Sequence, residues 1–386
     1  MPELPIYLDY NATTPCDSRV AEAMMPFFTR YFGNAASRNH SFGWQAEEAV
    51  EIAREQVAGL VGASPKEIVF TSGATEATNL AIKGVAEAYA PRGRHIITTA
   101  TEHKAVLDTC AHLEQLGYDV TVVPVDSDGL PNVVELESAI RSDTILIAVM
   151  YANNETGVIN PIKEIGMLAK KHGVLFFTDA TQAAGKIPVH VLEDNVDLLA
   201  LSAHKMYGPK GVGALYVRRR DPRVRLTAQI DGGGHERGMR SGTLNVAGIV
   251  GFGKACSVAA TEMGDEATRL LQLRNQLEAA LLSLPDTSVN GHRDQRLPHV
   301  LNISFGDRDG QALLGKLNRT MAVSSGSACM SASMEPSYVL RAMGVEDNRA
   351  YASIRFSLGK NTTGDEIEFV IDEVGKIIRE EEKARI

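Results

Sequence analysis

The stretch that decides the fold is Leu198-Leu199-Ala200-Leu201-Ser202-Ala203-His204-Lys205-Met206-Tyr207-Gly208-Pro209-Lys210-Gly211-Val212-Gly213. It begins as an apolar run typical of a buried strand and continues through Ser202, His204 and Lys205 into a glycine-rich turn. A lysine at the mouth of a buried strand loses hydration, which disfavours its charged form and leaves an amine able to condense with a carbonyl. An isolated His-Lys pair at a strand end is more simply interpreted as exposed to solvent. The rest of the chain must therefore decide between a solvated lysine and a reactive one.

Strands and helices alternate around this stretch. The apolar runs predict strands over residues 67–71, 95–99, 120–124, 144–150, 174–179, 197–202 and 213–217. Helical patterns lie between most of them, which predicts an α/β fold with a mainly parallel, mixed sheet. In such sheets the ligand lies beyond the carboxyl ends of the strands.

The pattern changes after about residue 256. Single helices are predicted over 20–31 and 43–61 before the alternating region, and a long helix over 261–284 after it. The remaining predicted elements are strands at 300–305, 322–324 and 352–358, a small-residue loop at 325–333, and helices at 337–343 and 365–384. We therefore predict a large domain over 15–256 and a smaller α+β domain made from 1–14 and 257–386.

Composition excludes several classes of protein. The 386 residues carry a net charge of −9, which disfavours a general nucleic-acid-binding surface; the basic run at 218–225 is more simply a solvated loop. The first residues show no secretory signal, and no apolar run is long enough to span a membrane. The four cysteines form no C-x-x-C pair, so no zinc site or dithiol is predicted. We expect reduced thiols, a cytoplasmic location, and no membrane or direct nucleic-acid partner.

Polar clusters follow several predicted strands. The turn at 72–76 opens a helix, whose free N–H groups suit a phosphate, although it matches neither a P-loop nor G-x-G-x-x-G. Asp179, with Gln182 three residues later, can hold a protonated ring nitrogen or can simply cap a helix. His103 can shuttle protons or be structural, and residues 153–157 can be only a turn. A phosphate cradle, an acid, an imidazole and Lys205 together fit pyridoxal 5'-phosphate.

Longer motifs make the resemblance specific. They are Tyr7-Leu8-Asp9-Tyr10-Asn11-Ala12-Thr13-Thr14-Pro15, Phe70-Thr71-Ser72-Gly73-Ala74-Thr75-Glu76, Thr101-Glu102-His103-Lys104, Asp179-Ala180-Thr181-Gln182, the run at 232–243, Ser324-Ser325-Gly326-Ser327-Ala328-Cys329 and Ser353-Ile354-Arg355-Phe356. With these motifs the chain resembles cysteine desulfurases of the IscS/NifS class, within the fold-type I, class V aminotransferase-like enzymes that use pyridoxal phosphate. The resemblance covers nearly the whole chain and implies the two-domain fold type I architecture.

The resemblance also implies roles for individual residues. Lys205 would form the Schiff base with the cofactor, Asp179 would pair with its ring nitrogen, Gln182 would contact its ring hydroxyl, and His103 would stack on the ring and act as acid and base. The residues implied in cofactor binding also include Ala74, Thr75, Asn154, Ser202, His204 and, from a second subunit, Thr243. Asn154 and Arg355 would take the substrate carboxylate, for which an arginine offers bidentate geometry.

Cys329 is the second informative residue. It lies among serines, alanines and a glycine, which favours an exposed position, although a lone cysteine is more often buried and structural. The resemblance makes it the nucleophile that takes sulfur from L-cysteine as a persulfide and leaves L-alanine. It also leaves Cys329 open as a transient iron–sulfur ligand during transfer, and no other metal ligand is predicted. Cys16, Cys110 and Cys256 are interpreted as structural.

The resemblance implies a homodimer that passes sulfur to an iron–sulfur scaffold protein and to other acceptors, including those of tRNA thiolation. Ala35 stands where this class usually has a proline. By the resemblance, we expect the C-terminal tail that helps such enzymes dock the scaffold to be missing after Ile386, which would affect docking and not the chemistry. A selenocysteine lyase or a cysteine sulfinate-acting relative is the nearest alternative. A non-catalytic partner protein of the same fold is disfavoured by the intact Lys205, His103, Asp179 and Cys329.

Overall fold

The computed structural model describes residues 2–325 and 335–385. Its strands are β1 (Ile6–Tyr7), β2 (Ile68–Thr71), β3 (His95–Thr99), β4 (Asp119–Val123), β5 (Thr144–Ala148), β6 (Leu175–Asp179), β7 (Leu198–Ser202), β8 (Gly213–Val217), β9 (Ser288–Val289), β10 (Val300–Ser304), β11 (Met321–Ala322), β12 (Ser324–Ser325) and β13 (Ser353–Ser357). Its α-helices are α1 (Ser18–Met24), α2 (Pro26–Thr29), α3 (Ser41–Val61), α4 (Ala74–Tyr89), α5 (Lys104–Gln115), α6 (Val133–Ser138), α7 (Ile162–His172), α8 (Val246–Leu281), α9 (Gly310–Leu317), α10 (Tyr338–Ala342), α11 (Asp347–Tyr351) and α12 (Gly364–Arg385).

The large sheet confirms the predicted mixed α/β fold. Its seven strands follow the order β2-β8-β7-β6-β5-β3-β4. The neighbours from β7 to β4 are parallel, and β8 is antiparallel to both β7 and β2. Strands β5 to β8 are buried along their whole length, as expected for a sheet covered by helices on both faces. Two separate apolar cores flank this sheet, one including residues of α3, α7 and α8 and the other residues of α4 and α5.

Two predicted helices differ from the observed ones. The helix expected over 20–31 is broken into α1 and α2 because Pro26 cannot donate to the preceding turn and occupies the first position of α2. The long helix begins at Val246 rather than near 261 and is continuous for 36 residues. A side chain at Gly253 would come within 2.5 Å of the Cα of Ala53 on α3, so this glycine inside the helix allows α8 to pack closely on α3.

The C-terminal part forms a smaller α+β unit. Its antiparallel sheet has the order β12-β13-β10-β9, and its own apolar core includes residues of α8, α9 and α12. The N-terminal strand β1 joins it by pairing in parallel with β11. The domain boundaries at 14/15 and 256/257 stay a prediction, and α8 runs through the second of them. In the described part of the chain, no helix has the length and apolar character needed to span a membrane.

Candidate active site

A cavity of about 510 Å³ lies where the carboxyl ends of β6 and β7 meet the N-terminus of α4. This is the edge at which parallel α/β sheets bind ligands. The fold brings nine residues predicted from the sequence to this cavity: Ala74, Thr75, His103, Asn154, Asp179, Gln182, Ser202, His204 and Lys205. Arg355 reaches the same cavity from β13 of the C-terminal unit.

Lys205 ends a single 3-10 turn that follows β7 directly. Its Nζ donates hydrogen bonds to the backbone oxygens of Asn11, at 2.5 Å, and Ala12, at 2.7 Å. The N-terminal segment is held over the lysine by Thr14, whose backbone N–H and hydroxyl both donate to the carbonyl of His204. The amine therefore lies in the cavity at a defined position set by residues almost two hundred positions away.

The corner of the cavity at the N-terminus of α4 is lined by small residues. Gly73 precedes the helix with φ at 156°, in a region that side-chain-bearing residues rarely adopt. A Cβ on Gly213 would lie 2.7 Å from the Cα of Gly73, so position 213 needs glycine for this close approach, whereas Gly73 is favoured by its backbone conformation. The open N–H groups of the first helical turn and the hydroxyls of Thr75 and Ser202 form a cradle suited to a phosphate.

Asp179, Gln182 and His103 define other parts of the cavity wall. Asp179 is buried, and one of its oxygens accepts from the backbone N–H of Thr181 at 2.9 Å. Gln182 donates to the carbonyl of Asn11 at 3.1 Å. His103 caps α5, and its Nδ1 accepts from the backbone N–H of Ala105 at 3.1 Å. Because that lone pair is used, the neutral ring of His103 carries its proton on Nε2.

His204 is held as a neutral ring. Its Nδ1 lies 3.1 Å from the hydroxyl of Thr13, and the side chain is partly buried. Burial lowers its pKa to about 4, and the nearby charges of Lys205 and Lys210 act in the same direction. Near neutral pH, His204 therefore acts as a hydrogen-bonding group and not as a cation.

Arg355 and Asn154 meet at the other end of the cavity. Arg355 is 2% exposed, and its guanidinium has one nitrogen 2.6 Å from a carboxylate oxygen of Asp9 and another 2.9 Å from the carbonyl of Asn154. Three buried polar atoms of cavity-lining residues have no hydrogen-bond partner among the residues that the structure describes: Arg355 Nε, Asn154 Oδ1 and Thr181 Oγ1. Such atoms are costly to leave unpaired, which indicates that this cavity is built to bind a polar ligand.

Two predicted site residues are not placed in the cavity. Thr243 is exposed and does not line it. Cys329 and the rest of 326–334 lie outside the described residues, so the role given to Cys329 stays a prediction. The other cysteines are free thiols; Cys110 and Cys256 are buried, whereas Cys16 is exposed. Burial raises the pKa of Cys110 to about 12.

Sequence reasoning gave no role to several residues that line the cavity, chiefly Asn11, Ala12, Thr13 and Lys210. The first three lie in a motif that carried the family resemblance, which is the signal that could have found them. Among the described residues, no cluster of three or more histidine, cysteine, aspartate or glutamate side chains is arranged to hold a metal ion.

Two buried carboxyls lie immediately behind the cavity wall. Glu102 accepts from the hydroxyl of Thr99 and the backbone N–H of Met150, and burial raises its pKa to about 8. Glu155 accepts from the hydroxyl of Ser337 at 2.5 Å, and burial raises its pKa to about 7. The hydrogen bonds of Glu102 and Glu155 anchor the turns that carry His103 and Asn154 to buried parts of the protein.

Comparison with known proteins agrees with this geometry. The family model described as aminotransferase class-V matches residues 6–370. The chain belongs to this family. The class-V enzymes to which this chain is similar in sequence, the cysteine desulfurases described below, use pyridoxal 5'-phosphate. The cavity fits that cofactor, because it joins the phosphate cradle at α4, the buried Asp179 carboxylate, the Gln182 amide and the Lys205 amine, together with polar atoms that lack partners within the described chain.

Individual members of the family share most of the sequence. The chain is 58% identical to a protein named cysteine desulfurase IscS from Anaeromyxobacter sp. (strain Fw109-5) and 56% identical to one of the same name from Klebsiella pneumoniae. These matches cover 98% and 97% of this chain, and 93% of each relative.

Solved structures of similar proteins share the fold. A NifS-like protein superposes with a TM-score of 0.91 at 40% identity, covering 97% of this chain and 100% of that one. A structure titled SspA in complex with cysteine superposes with a TM-score of 0.81 at 39% identity, covering 92% of this chain and 98% of that one.

Proposed function

We propose that this chain is a cysteine desulfurase that converts L-cysteine to L-alanine and holds the released sulfur as a persulfide on Cys329. The observation that carries the proposal is one cavity that contains Lys205, Asp179 and His103 together with the guanidinium of Arg355. The names of relatives that are more than half identical over nearly the whole chain support the same activity.

The overall step balances without another reactant. The carbon–sulfur bond of L-cysteine breaks, and a sulfur–sulfur bond to Cys329 forms. The Cβ of the substrate gains the electron pair that the two sulfur atoms lose. One of the two thiol protons ends in the methyl group of alanine, and the other stays on the terminal sulfur of the persulfide. Cys329 must attack as the thiolate, which is the nucleophilic form of a thiol.

Pyridoxal phosphate supplies an electron sink that stabilises negative charge at the substrate Cα. Residues of this chain would hold and serve that group. Lys205 supplies the amine that attaches it, and Asp179 is a buried carboxylate suited to a protonated ring nitrogen. His103 lines the cavity, and its Nε2–H can donate a hydrogen bond or a proton there. For the ring to take up a proton, Nδ1 would have to release the backbone N–H of Ala105.

The substrate carboxylate is proposed to bind between Arg355 and Asn154. Arg355 forms an ion pair with Asp9 and donates one N–H to the carbonyl of Asn154. These two contacts fix the plane of its guanidinium. Its Nε–H then offers a donor with unfilled hydrogen-bonding capacity within the described chain. The side-chain NH₂ of Asn154 would be the group of that residue that donates to the carboxylate, because an amide oxygen only accepts. A guanidinium held in this way orients the amino acid and does not need to reorganise when the substrate binds.

A homodimer is proposed from two features of the described chain. Several large apolar side chains between residues 25 and 44 are 47% to 65% exposed: Met25, Phe28, Phe32, Phe42 and Trp44. Phe32 and Phe42 pack on each other with ring centroids 5.4 Å apart, and exposed apolar clusters of this kind mark interaction surfaces. Thr243, exposed and outside the cavity of its own chain, would be supplied to the phosphate of the second subunit.

The sulfur acceptors, the processes supplied with sulfur and the cellular location are also proposals. The sulfur would pass to an iron–sulfur scaffold protein and to other acceptors, with tRNA thiolation among the processes supplied, and the enzyme would work in the cytoplasm. The names of the similar proteins support sulfur mobilisation from cysteine. Pull-down of acceptors after loading with radiolabelled L-cysteine identifies which proteins receive the sulfur.

The test of the activity is a desulfurase assay on the purified protein reconstituted with pyridoxal phosphate. Incubation with L-cysteine and a reductant should produce alanine and sulfide in equal amounts, and mass spectrometry should find one additional sulfur atom on Cys329. Cys329→Ser should still bind L-cysteine but release almost no sulfide. Cys16→Ser, a change at an exposed thiol, is the matched control and should keep wild-type turnover. Wild-type sulfide release from Cys329→Ser would refute the assignment of the nucleophile.

A further inference from the structure

Asn11 connects most of the groups that define the candidate active site. Its carbonyl accepts hydrogen bonds from Lys205 Nζ and Gln182 Nε2. Its side-chain amide donates from Nδ2 to the carbonyl of Asn154 at 3.0 Å. Its backbone N–H donates to the hydroxyl of Ser357 at 3.0 Å, which anchors the segment to β13. Asn11 is 2% exposed, so it has little freedom to choose other partners.

His299 determines which way the Asn11 amide points. Its Nε2 lies 3.0 Å from Asn11 Oδ1, and the residue is 1% exposed. Because the carbonyl of Asn154 can only accept, the NH₂ group of Asn11 must face it, and Oδ1 must face His299. Oδ1 is an acceptor, so His299 donates from Nε2. Among the described residues, Nδ1 of His299 has no hydrogen-bond partner, which agrees with a neutral ring protonated on Nε2.

This hydrogen-bond chain ends at the carboxylate end of the cavity. The Asn154 carbonyl accepts from Asn11 Nδ2 on one side and from Arg355 on the other, at 3.0 and 2.9 Å. The two donors use both lone pairs of that oxygen and fix the peptide plane of Asn154. The Asn154 side chain and Arg355 Nε, which carry polar atoms unpaired within the described chain, are positioned by the same contacts.

We infer that His299 and Asn11 are positioning residues for the α-carboxylate of the amino-acid substrate, acting through Asn154 and Arg355. The inference rests on the proposed function, since it takes an amino acid as the substrate. His299 does not line the cavity, so its effect is indirect. Loss of its N–H leaves Asn11 Oδ1 buried without a donor, which favours rotation of the amide and loss of the bond to Asn154.

The experiment compares binding of L-alanine with binding of ethylamine, which has the same amine and methyl group but no carboxylate. Both are titrated into the reconstituted holoenzyme, and binding is followed through the absorbance of the bound cofactor. His299→Leu removes the donor with a side chain of similar size, and His299→Gln restores an N–H near the position of Nε2. His112→Leu, at an exposed site on α5, is the matched control.

The expected result is a selective loss. His299→Leu should weaken L-alanine binding about 10-fold, the change that corresponds to one typical hydrogen bond, while ethylamine affinity stays within about 2-fold of wild type. His299→Gln should recover most of the L-alanine affinity, and His112→Leu should match wild type. Asn11→Ala removes the donor to Asn154 directly and should show the same selective loss, so it carries the test if His299→Leu does not fold.

The experiment distinguishes failure of the proposed function from failure of the positioning role. A wild-type protein that does not form alanine from L-cysteine contradicts the proposed function. A functional wild type whose folded His299→Leu and Asn11→Ala variants bind L-alanine normally, or lose L-alanine and ethylamine equally, refutes the positioning role.

Discussion

Replacing Glu102 by glutamine should remove this residue's own contribution to the pH dependence of the protein's stability. The Glu102 carboxyl is completely buried, and one oxygen accepts from Thr99 Oγ1 at 2.8 Å and from Met150 N at 2.7 Å. The other oxygen has no hydrogen-bond partner among the described residues. Burial, with a smaller contribution from the charge of Asp179, raises the pKa of Glu102 from 4.5 to about 8.

The sign and size of the effect follow from proton linkage. The folded state holds the Glu102 proton more tightly than the unfolded state, so it binds more protons between pH 4.5 and about 8. The contribution of Glu102 to stability is therefore greatest below pH 4.5 and falls as pH rises, by about 1.4 kcal/mol per pH unit. Between about pH 5 and 8 the loss reaches roughly 3 kcal/mol. Glutamine cannot ionise and lacks this loss.

Urea unfolding of the cofactor-free protein at several pH values between 5 and 8 tests this reasoning. Glu102→Gln buries two amide N–H groups where an oxygen had been, so it should be less stable than wild type at pH 5 by about 1–3 kcal/mol. The two free energies of unfolding should converge or cross by pH 8. Glu114→Gln, at an exposed site on α5, should follow wild type. A constant difference between Glu102→Gln and wild type across the pH range would contradict the buried-carboxyl argument.

Three further changes test the site and the fold. Lys205→Ala should lose the visible absorbance of the attached cofactor, and an unchanged spectrum would show that another group holds it. Arg355→Lys should raise KM for L-cysteine at least about 10-fold with a smaller change in kcat, because an ammonium cannot contact Asp9, Asn154 and a carboxylate in one plane. An unchanged KM in steady-state assays would count against a role of Arg355 in carboxylate binding. Glu236→Ala leaves the buried Arg54 guanidinium without its bidentate partner and should lower the free energy of unfolding by about 3–5 kcal/mol in urea titrations, whereas a loss below about 1 kcal/mol would show that the pair matters little.

Most of the large sheet could be predicted from the sequence. Its seven strands coincide with the predicted runs to within about two residues, since each is a short segment rich in apolar residues between turn residues, and most are buried along their whole length. Two helix predictions were wrong. Pro26 divides one predicted helix because it cannot donate to the preceding turn. The long helix α8 begins earlier than predicted, at Val246, and it includes Gly253, where Ala53 approaches too closely for a side chain.

The candidate site was predictable only in part. Lys205, Asp179 and Thr75 each follow or end a strand, so the rule for parallel sheets places them at one edge. No such rule applies to Asn11 or His299. Asn11 meets Lys205 across 194 positions of sequence and meets His299 across 288, and both contacts exist only after the N-terminal segment and the C-terminal unit pack on the sheet.

The amino-acid sequence by itself determined the alternation of strands and helices, the lysine beyond the end of β7 and the family, because these depend on local hydrophobic pattern and on contiguous motifs. Only the tertiary structure decided how the groups around that lysine are arranged: Asn11 holds the Lys205 amine, His299 orients Asn11, and Arg355 arrives from the other unit. Hydrogen bonds need atoms within about 3 Å at a defined angle, and residues hundreds of positions apart reach that geometry only through packing of the whole chain.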